Sequence, residues 1–244
     1  MRTAVLFLVC AALAAPALAA TDRQTRVFTW TTSRALSLDI TIGQIRIEGS
    51  SRSDVELAVQ RTAPTTEGLA QLAVAIDETP ERVSIRIVQP DGGTDPAFRS
   101  DLVLRVPADA RIETVKVMEG KLVVEHFRGT LTADVRRGPI EGTDVTGALR
   151  LEAGIGSVIL KNARLDPKGL LRLRAFNGDV RLQMPAPPTD ARVMALALNG
   201  SIQSDIPMTT RDSWGPRWSE ATLGSGEPVI SIDVVTGKVE IRTK

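Results

Sequence analysis

The sequence predicts an all-β protein built as a parallel β-helix, a β-solenoid whose first coils are irregular. Two observations carry this. Ten glycines, Gly43, Gly120, Gly129, Gly138, Gly147, Gly156, Gly169, Gly178, Gly200 and Gly237, are each followed two residues later by an aliphatic side chain. From Gly120 to Gly156 the glycines recur every nine residues, and nine separates Gly169 from Gly178. Alternating apolar residues after each glycine mark a strand with one buried face, and the glycine marks the turn before it. Strands at this spacing also suit an antiparallel sandwich or barrel. Stacked coils, however, oblige equivalent turns to repeat the same residue, because corresponding positions lie above one another ~4.8 Å apart. If two nine-residue arms make one coil the period is 18, which Gly120, Gly138 and Gly156 obey; Gly156, Gly178 and Gly200 then step by 22, as though later coils carried a four-residue bulge.

Taken from the start, residues 1–19 read as a secretory signal peptide. Arg2 supplies the positive start, an apolar run extends from Ala4 to Ala15, and small residues stand at Ala17 and Ala19. The run is shorter than the ~20 residues of a membrane-spanning helix. Cys10 follows Val9, where a lipid-attachment signal would need a small residue, and it is the only cysteine. Cleavage near Ala19 would leave a periplasmic or secreted chain with no transmembrane segment, no disulfide and no thiol chemistry. It would also remove Arg2, equalising basic and acidic residues at 29 each, so nothing global favours nucleic acid.

Residues 20–244 read as one domain. Strands are expected at Arg26–Thr31, Ala35–Ile40, Gln44–Glu48, Asp54–Arg61, Arg82–Val88 and Asp101–Val106, with Glu67–Ile76 either a short helix or a strand. Residues 89–100 read as an exposed loop. The regular repeats occupy 101–206, a loop rich in proline and glycine occupies 207–228, and the last strands run from Val229 to the end. The terminal Val239-Glu240-Ile241 reads as an open edge that Lys238 and Lys244 would have to protect. With aromatics at 3% and no tyrosine, the core has to be aliphatic.

The segment Leu102-Val103-Leu104-Arg105-Val106-Pro107 and the turns Asn177-Gly178-Asp179-Val180 and Thr236-Gly237-Lys238-Val239 resemble the toast-rack, adhesin-like domain family of exported bacterial envelope proteins, from about Arg26 onward. The resemblance implies a right-handed parallel β-helix, a link with adhesion or envelope stress sensing, and no established catalytic residues. Turns such as Glu119-Gly120-Lys121 and Arg137-Gly138-Pro139 depart from the family's usual Ser/Asn-Gly-Asp form.

Chemistry is sparse. His126 is the only histidine, so zinc and cysteine sites have no ligand set, and no cofactor is implied. Gly154-Ile155-Gly156 lacks the third glycine of a phosphate loop, and Gly224-Ser225-Gly226 is not a nucleophile elbow. Asp91-Gly92-Gly93-Thr94-Asp95 lacks the ligand order of a calcium loop. Glu141, Asp144, Glu152 and Asp179 could line an outer face and serve a carbohydrate-active enzyme, the alternative to a non-enzymatic reading. Between Arg136 and Arg192, ten basic residues face six acidic ones, a stripe able to meet anionic lipid head groups or wall polymers. Trp214, Arg217 and Trp218 cluster in SWGPRWSE, where such residues are favoured at interaction hot spots. The same loop could instead fold over an open coil. The function expected is a scaffold or binding module without catalysis, its partner an envelope protein, lipid head group or wall polymer, with no catalytic residues and no metal.

Overall fold

The computed structural model describes residues 19–89, 93–211 and 216–244. Labelled in chain order, the strands are β1 (Ala20–Thr29), β2 (Ala35–Ser50), β3 (Asp54–Ala63), β4 (Ala75–Glu78), β5 (Arg82–Ile87), β6 (Arg99–Pro107), β7 (Arg111–Glu125), β8 (Thr130–Arg137) and β9 (Ile140–Thr143). They continue as β10 (Ala148–Ile155), β11 (Val158–Lys161), β12 (Leu170–Asn177), β13 (Val180–Met184), β14 (Ala191–Ser204), β15 (Thr209–Arg211), β16 (Arg217–Leu223) and β17 (Val229–Thr243). One short helix, α1 (Thr66–Gln71), settles the ambiguous segment: Thr65 caps it by accepting the Gly68 amide at 3.1 Å, and Glu67 lies in its positive first turn.

From β7 onward most strands pair in parallel and in register. One column runs β7–β8–β10–β12–β17–β14, joining Ile112, Leu131, Leu149, Leu171, Ile230 and Val193 side by side. A second runs β7–β9–β11–β13–β17–β14 and joins Leu122, Ile140, Val158, Val180, Val239 and Ile202. Every residue of these rows except Ile202 is at least 95% buried, so each alternation in the sequence becomes a stacked aliphatic row worth ~1.5–3 kcal/mol per large side chain. The long strands β7 and β17 run through both columns. The pairings β7–β8–β10–β12–β17–β13–β11–β9 therefore close into an eight-strand ring, a barrel around one aliphatic core. The all-β, parallel character expected from the repeat is present, but the strands close into a barrel where a β-solenoid was expected, because β7 and β17 each pair in both columns and join them.

The columns meet at a bend built from glycine. Gly120 and Gly138 have φ of +146° and +132°, and a Cβ on them would lie 1.7 Å from the Gly43 carbonyl oxygen and 1.6 Å from that of Gly120. No side chain fits there. The 22-residue step from Gly156 to Gly178 is also real, since Leu149 pairs with Leu171 and Val158 with Val180.

Two expectations are corrected at the C-terminal end. The last strand is no open edge: β17 lies between β12/β13 on one side and β14 on the other. Gly200 accordingly stacks on Gly237 and not on Gly178. Spacing along the chain cannot reveal this, because the chain leaves the ladder after β14 and returns to fill the position it skipped. The stretch 207–228, expected as a loop, carries β15 and β16; β16 pairs antiparallel with the first half of β14 and β15 adds to β16.

The N-terminal strands mix parallel and antiparallel pairings. The two predicted strands at Ala35–Ile40 and Gln44–Glu48 are one strand, β2, bent at Gly43. β3 and β1 add antiparallel beyond β6, and the short β4, which no clear alternation signals, pairs with β5. Arg61, 9% exposed, holds this end together: it binds Asp22 on β1 through two nitrogens and donates to the Leu72 carbonyl at 2.5 Å. The hydrogen bond from Arg61 holds the Asp22 carboxyl below its ordinary value. The unfolded chain thus takes up that proton more readily, and the stability from Asp22 is present above about pH 4 and lost as pH falls through the folded value. Asp22→Asn is expected to lower the urea midpoint at pH 7 and to flatten its fall in acid; an unchanged acid limb would exclude the contribution.

Candidate functional site

The strand cap places two of the three residues singled out in the sequence. Trp214 lies outside the described residues. Arg217 is exposed at the start of β16, and Trp218 is half-buried, opposite Leu196 of β14 and Arg211 of β15. Ser219 and Ala221 on the same strand face inward, so Trp218 and Glu220 belong to the outer face. Glu220 is held there by Arg192 at 2.7 Å, and that hydrogen bond lowers its pKa.

Beside this cap runs an outward apolar row that sequence reasoning missed. Met118, Phe176 and Leu198 stand two residues before Gly120, Gly178 and Gly200, and Ile155 one before Gly156; all four are exposed, from 42% at Leu198 to 57% at Ile155. The Arg174 guanidinium lies 4.6 Å above the centre of the Phe176 ring. Gly154 takes the equivalent position in β10 and, having no side chain, leaves a notch of about 580 Å³ between Arg136 and Phe176. The signal was available for three of them: Met118, Phe176 and Leu198 fall on the parity that points away from the core, whereas Ile155 keeps the parity of the buried Leu151 and Ala153 and is exposed at the glycine bend.

A second feature lies at the corner just past the ends of β7, β9 and β11. His126, Asp144 and Asn162 occur 18 residues apart and all have left-handed backbone, φ +54°, +55° and +52°. Their side chains stack: His126 Nδ1 lies 3.4 Å from Asp144 Oδ2, and Asn162 Nδ2 donates to Asp144 Oδ1. Two residues on, Arg128, Thr146 and Arg164 form a parallel row, tied by Thr146 donating its amide to the Phe127 carbonyl at 2.8 Å and Arg164 donating to Val145 at 2.9 Å. Together the six line a cleft of about 250 Å³. His126 and Asp144 stand out in the sequence only separately, because the 18-residue period that joins them at the corner links positions holding three different residue types.

The four carboxylates considered for catalysis do not converge. Glu141 on β9 pairs with Lys121 at 2.8 Å, Glu152 on β10 with Arg174 at 3.8 Å, Asp179 before β13 accepts the Lys238 amide at 2.8 Å, and Asp144 belongs to the corner. Each serves a separate element of the ladder. Gly154-Ile155-Gly156 ends β10 at the glycine bend, and Ser225 donates its backbone amide to Asp190. Among the described residues no group of three or more His, Cys, Asp or Glu side chains could hold a metal, and no helix is long and apolar enough to cross a membrane. Asp91 and Gly92, in the candidate calcium turn, lie outside the described residues.

No family model matches the chain, and no curated protein matches it in sequence. Its fold is found in a solved structure described as a "putative cell adhesion protein" from Clostridium sporogenes, which is 11% identical over 92% of this chain and 100% of the other, with a TM-score of 0.51. A "putative adhesin" from Bacteroides fragilis is 12% identical over 91% and 97% of the two chains, with a TM-score of 0.36. The likeness to the Clostridium sporogenes structure shows a shared fold.

Proposed function

We propose that this chain is a non-enzymatic binding module of the bacterial envelope, adhesion-like in action, that meets its partner through the capped end of the barrel. The contact residues are Trp218 and Arg217, with Trp214 from the adjoining segment, continued by the outward row Leu198 and Phe176. The observation that carries the reading is this exposed apolar row, since side chains of such size outside a core mark an interaction surface when they are contiguous. The adhesion label of the fold's solved example supports it. On this reading the two parallel columns are the arms of right-handed, toast-rack-type coils bent at the glycine row. Residues 1–19 are then the signal peptide that delivers the domain to the periplasm or beyond.

The test is co-sedimentation of the domain without its first 19 residues with separated membranes and wall sacculi of the producing cell. Saturable pelleting with one fraction, weakened at least tenfold by Trp218→Ala with Arg217→Ala and unaffected by the outward Thr132→Ala, is the expected result. Pelleting with neither fraction, or pelleting indifferent to the Trp218 and Arg217 changes, overturns it. Release of reducing sugar ends from wall glycan would instead mark an enzyme.

A further inference from the structure

The corner cleft gathers two arginines around one small enclosure. Arg128 and Arg164 are exposed and make no ion pair among the described residues, and while Arg46, Arg181 and Arg242 are matched to Glu125, Glu240 and Asp205, other single arginines on the strands, such as Arg150 and Arg217, are likewise unmatched there; what distinguishes the corner is that two such arginines line one cleft. They stand two coils apart, roughly 10 Å along the stack, and Thr146 lies between them. Asp144 is the one acidic residue in the cleft, its Oδ1 accepting from Asn162 and its Oδ2 lying 3.4 Å from His126 Nδ1, so two guanidiniums stand against one carboxylate and leave an excess of positive charge. Two guanidiniums and a hydroxyl spread over three positions suit an anion with three free oxygens better than a carboxylate, which one guanidinium saturates.

Arg164 also lines a second cleft, of about 600 Å³. Its walls come from the four residues by which the later coils exceed 18, in the turn after Asn162, and from the turn after β13. Leu165, Pro167, Met184, Pro185 and Ala186 are among its lining; two carboxylates also line it, Asp190, which accepts the Ser225 amide at 2.9 Å, and Glu227. A phosphate-sized polar cleft and a larger apolar one thus share a single arginine.

We infer that the corner between Arg128 and Arg164 binds a phosphate-bearing amphiphile, its phosphate held by the two guanidiniums and Thr146 and its apolar part lying along Leu165, Pro167 and Met184. The inference rests on the envelope-binding reading only for where such a ligand would be met. Its residues are separate from Trp218 and Arg217.

The experiment is calorimetric titration of the domain lacking residues 1–19 with dihexanoyl phosphatidate below its micelle concentration, with glucose 6-phosphate and with inorganic phosphate. The lipid is expected to bind at least tenfold more tightly than either other probe. Arg164→Gln should weaken it about tenfold or more, the ordinary worth of a charge-assisted contact. Arg128→Gln should act in the same direction. Both variants are exposed polar changes, and their thermal midpoints will show that they fold. Trp218→Ala should leave the titration unchanged, so failure of the capped-end reading and failure of this one are distinguishable. Equal affinity for phosphatidate and glucose 6-phosphate, binding unaltered in folded Arg164→Gln, or no binding of phosphatidate would each overturn the assignment.

Discussion

Gly138→Ala is expected to destabilise the protein by on the order of 3 kcal/mol or more, enough to leave little folded material under ordinary conditions. The backbone at Gly138 has φ +132°, a conformation L side chains rarely adopt, and the added Cβ would fall 1.6 Å from the Gly120 carbonyl oxygen. Rotation of a side chain cannot relieve this, because the obstructing atom is backbone of the next strand. Shifting that strand is equally costly, since Gly120 in turn lies against Gly43, and Gly156 against Gly138. The damage is therefore not local to one turn. Urea denaturation followed by circular dichroism should show a collapse of the midpoint for Gly138→Ala. Thr132→Ala, outward on the same strand, should shift stability by no more than about 0.5 kcal/mol. A near-native midpoint for Gly138→Ala would mean that the two columns are not joined at a close-packed glycine bend.

Phe127→Ala is the second large effect, expected at about 3–5 kcal/mol. Phe127 is fully buried and heads the largest fully buried side chains of a core that is mostly leucine, isoleucine, valine and alanine, with Phe28, Trp30 and Met184 as the other large exceptions. It lies between His126 and Arg128, so its ring anchors from inside the corner whose outer side carries the stacked polar row. With few large side chains nearby to collapse into the space, most of the cavity should persist. Phe127→Leu, which keeps much of the volume, should cost less than half as much. Equal losses for the two variants, read from the same urea midpoints, would show that the aromatic ring itself, and not the filled volume, is what the corner requires.

How much of this was legible can be argued from single residues. Leu131, Leu149 and Leu171 were readable as inward because period-two alternation is a local property, and the glycines before such strands marked the bend because only glycine suits that backbone. Arg217 and Trp218 stood out by composition, yet their place in a strand that covers β14 was not visible. Strand pairing is a relation between segments far apart in the chain, and a proline-rich stretch reads as loop on local grounds. The apolar row at Met118, Phe176 and Leu198 was hidden for a different reason. Parity alone distinguishes it from core, and single apolar residues on the outward parity read as ordinary surface until the strands that carry them are known to lie side by side.

The sequence by itself determined the all-β class, the parallel stacking implied by the 18-residue glycine phase, and the aliphatic core, since each follows from backbone preference and burial within a few residues. Only the tertiary structure decided that β17 slides between β13 and β14, that the ring closes through β7 and β17, and that His126, Asp144 and Asn162 meet at one corner flanked by Arg128 and Arg164. Those outcomes depend on which strand edges find each other, and backbone hydrogen bonds between strands are the same whatever the side chains. Order in the ladder is therefore set by the closure of the whole chain.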